Sequence, residues 1–169
     1  GDPMNPKTRF GAVVSQKQLE SVQRYVEIGQ REGAKLLLGG QRSAAPNPNG
    51  FYFQPTIFGG VEPGMTIARE EIFGPVLATL RFDSLDDLVA KANDVEFGLA
   101  AGIWTRDLKT AHTLARRLQA GTVWVNAYNA FDAAAPYGGY KMSGFGRESG
   151  MAALDFYTQT KTVWVNLKD

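Results

Sequence analysis

The sequence predicts an α/β domain with mostly parallel strands, and three features carry that prediction. Strand-like and helical stretches alternate between residues 76 and 125, which is the pattern of βαβ units. Two helices in that region open on Ser84 and Asp107, side chains that can accept the first unpaired amides of a helix. The chain closes on TKTVWVNL, where Val163, Val165 and Leu167 alternate with Thr162, Trp164 and Asn166 as a strand requires.

Each element follows from local pattern. Residues 1–15 are rich in Gly and Pro and read as irregular. From Gln16 to Ala34, Leu19, Val22 and Val26 fall on one helical stripe, and Gly33 closes the run. KLLLGG, residues 35–40, reads as a short buried strand ending in a glycine turn. SAAPNPNG, residues 43–50, is a loop, because prolines and asparagines remove ladder donors and favour turns. In FYFQPTIFGG, residues 51–60, Pro55 interrupts strand-like material. VLATLRF, residues 76–82, is the next strand. Ser84 with Asp87 resembles a capping box, and Leu85, Leu88, Val89 and Ala92 give the helix behind it an apolar face. LAAGIWT, residues 99–105, reads as a buried strand. Asp107 then caps a helix with Leu108, Ala111, Ala115 and Leu118 inward and Gly121 as its stop. TVWVN is the strand after it, and a glycine-rich loop from Ala133 to Gly150 leads to a short helix from Met151 to Phe156.

Bulk properties exclude several classes of function. At 169 residues and 44% hydrophobic content, the chain can build one ordinary core. Eighteen basic residues against 17 acidic ones leave a net charge of +1, no footprint for nucleic acid or an anionic membrane surface. Apolar runs such as Leu36 to Leu38 are too short to span a bilayer, and no signal peptide opens the chain. The absence of cysteine excludes disulfides, thiolate metal sites and a cysteine nucleophile within these residues. Compartment is unmarked, so cytoplasmic is the default. The opening GDPMNPKTRFG has no Met at position 1 and reads as mid-protein loop, so a fragment of a longer chain is expected.

The motifs sort by chemistry. In APYGGYKMSGFGRESG, Gly144 and Gly146 invite a dinucleotide fingerprint, but Gly150 lies one position too far and no strand runs into Gly144. A loop whose glycines permit positive φ is the reading kept. His112 is the single histidine, so it has no partner for a zinc site or a catalytic constellation. Ser143 precedes a glycine, but no base partner can be argued for it. The final strand either completes the home sheet or adds to a neighbouring subunit, and spacing leaves both open. In REEIFGPVLA, residues 69–78, the glutamates can be solvated charges with Phe73 in the core. Alternatively, Gly74 and Pro75 bend the chain so that Glu71 and Phe73 face a cleft. There a carboxylate can accept hydrogen bonds from a ribose diol and a ring can pack on a flat heterocycle.

EEIFGPV, FGLAAGIWTRD, AGTVWVN, PYGGYKMSGFGRE and YTQTKTVWVNL, in that order, resemble the C-terminal third of an aldehyde dehydrogenase dependent on NAD or NADP. GDPMNPKTRFGAVVS and EGAKLLLGG fit the same family, so the resemblance covers essentially all 169 residues. It implies an incomplete catalytic domain of layered αβα type over residues 1–156, with an oligomerisation strand at 157–169. It implies that Glu71 holds the nicotinamide-side ribose, Phe73 packs beside the nicotinamide and Tyr137 sits near the cofactor's reactive end. Phe131 then lines the aldehyde tunnel, Asn126 is structural, and Gln18 reaches toward the adenosine ribose. The implied chemistry is thiolate attack on the aldehyde, hydride transfer from the thiohemiacetal to NAD or NADP, and hydrolysis of the thioester by an activated water. The nucleophile, the general base and the adenine-binding half belong to an N-terminal part of the enzyme, so this chain holds no catalytic residue and no metal ligand. Its implied partners are an aldehyde, that N-terminal part and further copies of itself, with no nucleic acid and no membrane. A truncated relative serving as an assembly or binding module is the rival reading.

Overall fold

A computed structural model describes residues 1–44 and 46–168. The chain divides into two compact units, Gly1–Asp83 and Ser84–Asp169.

The first unit begins with α1 (Gln16–Arg31), whose N-cap Ser15 accepts a hydrogen bond from the Gln18 amide through its Oγ. Its C-terminus closes as a Schellman turn: Ala34 N–H reaches Gly29 O at 2.9 Å across Gly33, which takes φ +96°. After it come β1 (Lys35–Leu38), β2 (Arg42–Ser43), β3 (Tyr52–Phe53), β4 (Thr56–Gly59), the single helical turn α2 (Thr66–Arg69) and β5 (Val76–Ala78). The sheet order is β1-β4-β5, antiparallel on the β1 side and parallel on the β5 side. Pro55 does separate β3 from β4, as its missing N–H requires. Leu19, Val22 and Val26 from α1 form one core with Phe53, Phe58, Val61, Ile67 and Ile72. KLLL is not the buried strand expected: as an edge strand it leaves Leu37 and Leu38 more than half exposed. An edge strand lacks a neighbour on one side, so apolar content alone does not bury it.

The second unit holds α3 (Leu85–Asn93), β6 (Phe97–Gly98), β7 (Ala100–Ile103), α4 (Leu108–Arg117), β8 (Thr122–Val125), β9 (Tyr140–Lys141), a 3-10 turn (Met151–Ala153) and α5 (Leu154–Tyr157). Both expected caps form, with Ser84 Oγ accepting from Asp87 N at 3.1 Å and Asp107 Oδ1 accepting from Thr110 N at 2.5 Å. Hydrogen bonding from the Thr110 side chain, and then from its amide, holds the Asp107 carboxyl below its ordinary range. β7, α4 and β8 make one βαβ unit with a parallel pair. Mostly parallel strands were expected, yet two described pairings are parallel and three antiparallel. The short strands β1, β3 and β9 each fold back on a neighbour, which periodicity cannot reveal. Leu108 is exposed rather than inward, because the buried stripe of α4 centres on Ala111 and Leu114. The glycine-rich loop is more ordered than expected: β9 pairs with β6, and Tyr137 bridges Glu148.

The closing segment, residues 158–168, pairs with no strand among the described residues, and Val163, Trp164, Val165 and Leu167 are exposed. Completion of the home sheet is therefore the alternative this structure does not take. Among the described residues no helix is long and apolar enough to cross a membrane.

Phe58 is fully buried at the middle of β4. Phe58→Ala is expected to cost about 3–5 kcal/mol in urea unfolding; a loss below about 1 kcal/mol would contradict the placement of the core on β4.

Candidate functional site

The REEIFGPV segment is shaped by α1. Ile72 is 8% exposed in the core, whereas Glu71 is exposed and Phe73 is 78% exposed. One apolar anchor thus turns an acid and an aromatic outward together. Phe73 does not sit in the core, so the first of the two readings of this motif fails for the ring. It takes φ +52°, a left-handed conformation that costs a residue with a Cβ about 1–2 kcal/mol. Gly74 follows, and a Cβ there would lie 2.4 Å from Val22 Cγ2, so glycine is required for the bend to sit on the helix. Beyond the bend, Thr56 N–H donates to Pro75 O at 2.8 Å and leads the chain into β5.

The two glutamates differ in environment. Glu70 accepts a hydrogen bond from Tyr25 OH at 2.8 Å. That bond, then burial, then the Glu70 charge raise the Tyr25 hydroxyl above its ordinary value of 10.0. The Tyr25 hydroxyl thus keeps Glu70 engaged. Glu71 has no hydrogen-bond or ion-pair partner among the described residues, leaving its oxygens open to an external donor. Gln18 donates from its Nε2 to Phe73 O at 2.7 Å and to Ile72 O at 3.3 Å. Neither the Tyr25 nor the Gln18 contact is visible in sequence, since they join residues 45 and 54–55 positions apart.

The second unit carries an aromatic chain. Trp124 on β8 is buried and donates its Nε1–H to Ala130 O at 2.8 Å. Its ring meets Tyr128 at 5.2 Å and Phe131 at 5.6 Å, and Phe131 meets Tyr137 at 5.1 Å, all edge-on. That geometry matches the quadrupole preference of aromatic rings. Asn126 ends β8 with φ +53°, and its carboxamide exchanges hydrogen bonds with both backbone groups of Thr105. Those bonds set where the loop leaves the strand. Phe131, Asp132, Pro136, Tyr137 and Ser149 line a cavity of about 260 Å³ with Thr122, whose buried hydroxyl has no hydrogen-bond partner. Tyr137 thus shares a cavity with Phe131.

The remaining motifs carry no chemistry of this kind. His112 is exposed on α4. No helix begins at Gly144 or Gly146, and the next helical turn starts at Met151, so the phosphate-turn geometry is not formed. Arg147 instead donates to Gly139 O and Gly146 O and lies over the Tyr140 ring, tying the loop together. Among the described residues no cluster of three acidic or histidine side chains could hold a metal.

A sequence model of the aldehyde dehydrogenase family matches residues 1–163. The chain is 53% identical to the putative aldehyde dehydrogenase DhaS of Bacillus subtilis, over all of this chain and 34% of that protein. It is 51% identical to a betaine aldehyde dehydrogenase of Cereibacter sphaeroides, over 99% of this chain and 34% of that protein. An NAD+ complex of an aldehyde dehydrogenase from Bacillus cereus superposes with a TM-score of 0.91 at 51% identity, covering 98% of this chain and 33% of that one. The chain spans about a third of the length of the curated relatives it matches. Its fold is accordingly the mixed α/β fold of part of such a catalytic domain.

The close approach of Gly74 to Val22 yields a test. Gly74→Ala is expected to destabilise by about 1–3 kcal/mol in urea unfolding, and Val22→Ala in the same chain should absorb part of that loss. The double variant then falls short of the sum of the singles. Additive losses would show that the new methyl does not meet Val22.

Proposed function

The chain belongs to the aldehyde dehydrogenase family, and from that premise we propose that it is the C-terminal, cofactor- and substrate-lining part of an enzyme that oxidises an aldehyde to its carboxylic acid with NAD or NADP. The observation that carries this reading is the contrast between the adjacent glutamates: Tyr25 engages Glu70, while Glu71 stands open beside the exposed ring of Phe73. An unpaired carboxylate accepts hydrogen bonds only, so a vicinal diol suits it, and an aromatic face suits a flat heterocycle. These residues fit the ribose and nicotinamide of such a cofactor, which supplies a hydride acceptor when bound.

Each side chain then has a task. Glu71 orients the cofactor through its ribose, and Phe73 limits where the nicotinamide ring can lie. Phe131 and Tyr137 wall the aromatic cavity, Phe131 toward the aldehyde and Tyr137 toward the reactive end of the cofactor. Their edge-on packing holds both rings in one orientation and excludes water from an apolar substrate. The cysteine nucleophile comes from outside these 169 residues, which contain none, as do the general base and the adenine-binding half. Residues 1–156 belong to the catalytic domain, and residues 157–169 add as a strand to another copy. Their exposed Val163, Trp164, Val165 and Leu167 favour an assembling role.

Two outcomes test this reading. The 169-residue chain, purified and supplied with an aldehyde and NAD, is expected to form no NADH by absorbance; steady formation would show that the nucleophile lies within it. In the complete enzyme, Glu71→Gln should weaken NAD binding by about tenfold, the loss of a charge-assisted hydrogen bond, whereas Glu70→Gln should change it little. Unchanged affinity for the Glu71 variant would remove Glu71 from the cofactor site.

A further inference from the structure

The loop between β2 and β3 carries Asn49 followed by Gly50, the single Asn–Gly step in the chain. An asparagine before glycine is chemically labile, because no Cβ on the next residue hinders its amide nitrogen from reaching the side-chain carbonyl carbon. The two reacting groups are held differently here. The Asn49 carboxamide is exposed and has no hydrogen-bond partner among the described residues, so its carbon is open to attack. The Gly50 amide, which would attack it, donates instead to Asn47 O at 2.9 Å. That bond closes a turn with Pro48 as its second residue, and Asn49 N donates to Asn47 Oδ1 at 2.9 Å inside it.

We propose that Asn49–Gly50 is a site of spontaneous covalent modification and that Arg42 sets its rate. The Gly50 nitrogen attacks Asn49 Cγ; the N–Cγ bond forms and the Cγ–Nδ2 bond breaks. Ammonia leaves with the proton that the Gly50 amide gives up. Water then opens the cyclic imide at one of its two carbonyls. One opening leaves aspartate, and the other leaves isoaspartate, whose main chain runs through the former side chain. The reaction uses no oxidant and no reductant.

Arg42 is placed to restrain the first step. Its Nη2 donates to Pro48 O at 3.0 Å and to Gly50 O at 3.2 Å. Those carbonyls belong to the peptide planes on either side of the Asn49–Gly50 plane, the one that must turn. A cationic donor makes the stronger kind of hydrogen bond, and one guanidinium serving both planes keeps the Gly50 amide aimed at Asn47 O. The nitrogen swings toward Asn49 Cγ only as the turn opens. Packing favours the glycine that makes the step labile, since a Cβ on residue 50 would lie 2.3 Å from Tyr52 Cε2. The outcome reaches the fold through β3: Arg42 pairs with Phe53, which is buried in the core of the first unit. Isoaspartate lengthens the main chain inside that hairpin, whereas aspartate does not.

Peptide mapping by mass spectrometry, on the complete enzyme held at mildly alkaline pH, reads the conversion directly. Asn49 is expected to convert faster than every other asparagine of these 169 residues, giving both aspartate and isoaspartate. Arg42→Met removes the donors on an unbranched side chain and should speed conversion about tenfold, the effect of losing a charge-assisted hydrogen bond. Arg42→Lys keeps the charge and should fall between the two. If Arg42→Met fails to fold, Arg42→Lys is compared with the unmodified enzyme and with the same enzyme unfolded in urea, which should convert fastest. Conversion at Asn49 no faster than at the other asparagines overturns the site. Equal rates in the unmodified enzyme, the folded Arg42 variants and the unfolded chain overturn the restraint by Arg42.

Discussion

The packing of Ile72 and Gly74 against α1 is the constraint on which the outward-facing residues depend. Ile72 is drawn into the core with Leu19, Val22 and Val26, and burying a side chain of that size is worth about 1.5–3 kcal/mol. That exceeds the about 1–2 kcal/mol asked of Phe73 in its left-handed conformation, so the bend is affordable where it stands. With Ile72 anchored inward, Glu71 before it and the left-handed Phe73 after it are left exposed. The strain at Phe73 is local, and its compensation comes from residues far away in sequence.

The second unit follows a related logic with an aromatic anchor. Trp124 is buried and hydrogen-bonded to Ala130 O, so both its ring and its polar edge are satisfied. The loop between those residues is therefore short and pinned at each end, by Asn126 on Thr105 and by Trp124 on Ala130. Phe131 leaves that loop directly beside the Trp124 ring, and Tyr137 meets it edge-on in turn. The cavity wall is thus built outward from the core, ring by ring, on a strand paired in parallel with β7.

Features set by local chemistry were legible in the sequence. Ser84 and Asp107 cap their helices because the acceptor and the amide it meets are three residues apart. Pro55 breaks its ladder because it has no N–H to give. Features set by distant partners were not legible. KLLL reads as apolar strand whether it lies at a sheet edge or in its middle, and Leu108 fits the helical period without fixing which face the helix buries. The alternation in TKTVWVNL says that a strand can form but not what it pairs with. In the candidate site, the pairing of Glu71 with Phe73 around the Gly74–Pro75 bend was one of two readings that the sequence left open. The Tyr25 contact on Glu70, which joins residues 45 positions apart, was not legible at all.

The most direct measurement is a structure of the complete enzyme with its nicotinamide cofactor bound. The account predicts a ribose hydroxyl within about 2.5–3.0 Å of a Glu71 carboxylate oxygen, with the Tyr25–Glu70 and Gln18–Phe73 hydrogen bonds intact and Phe73 still left-handed. A ribose held by Glu70 after release from Tyr25, or a Glu71 carboxylate without any cofactor contact, would contradict it.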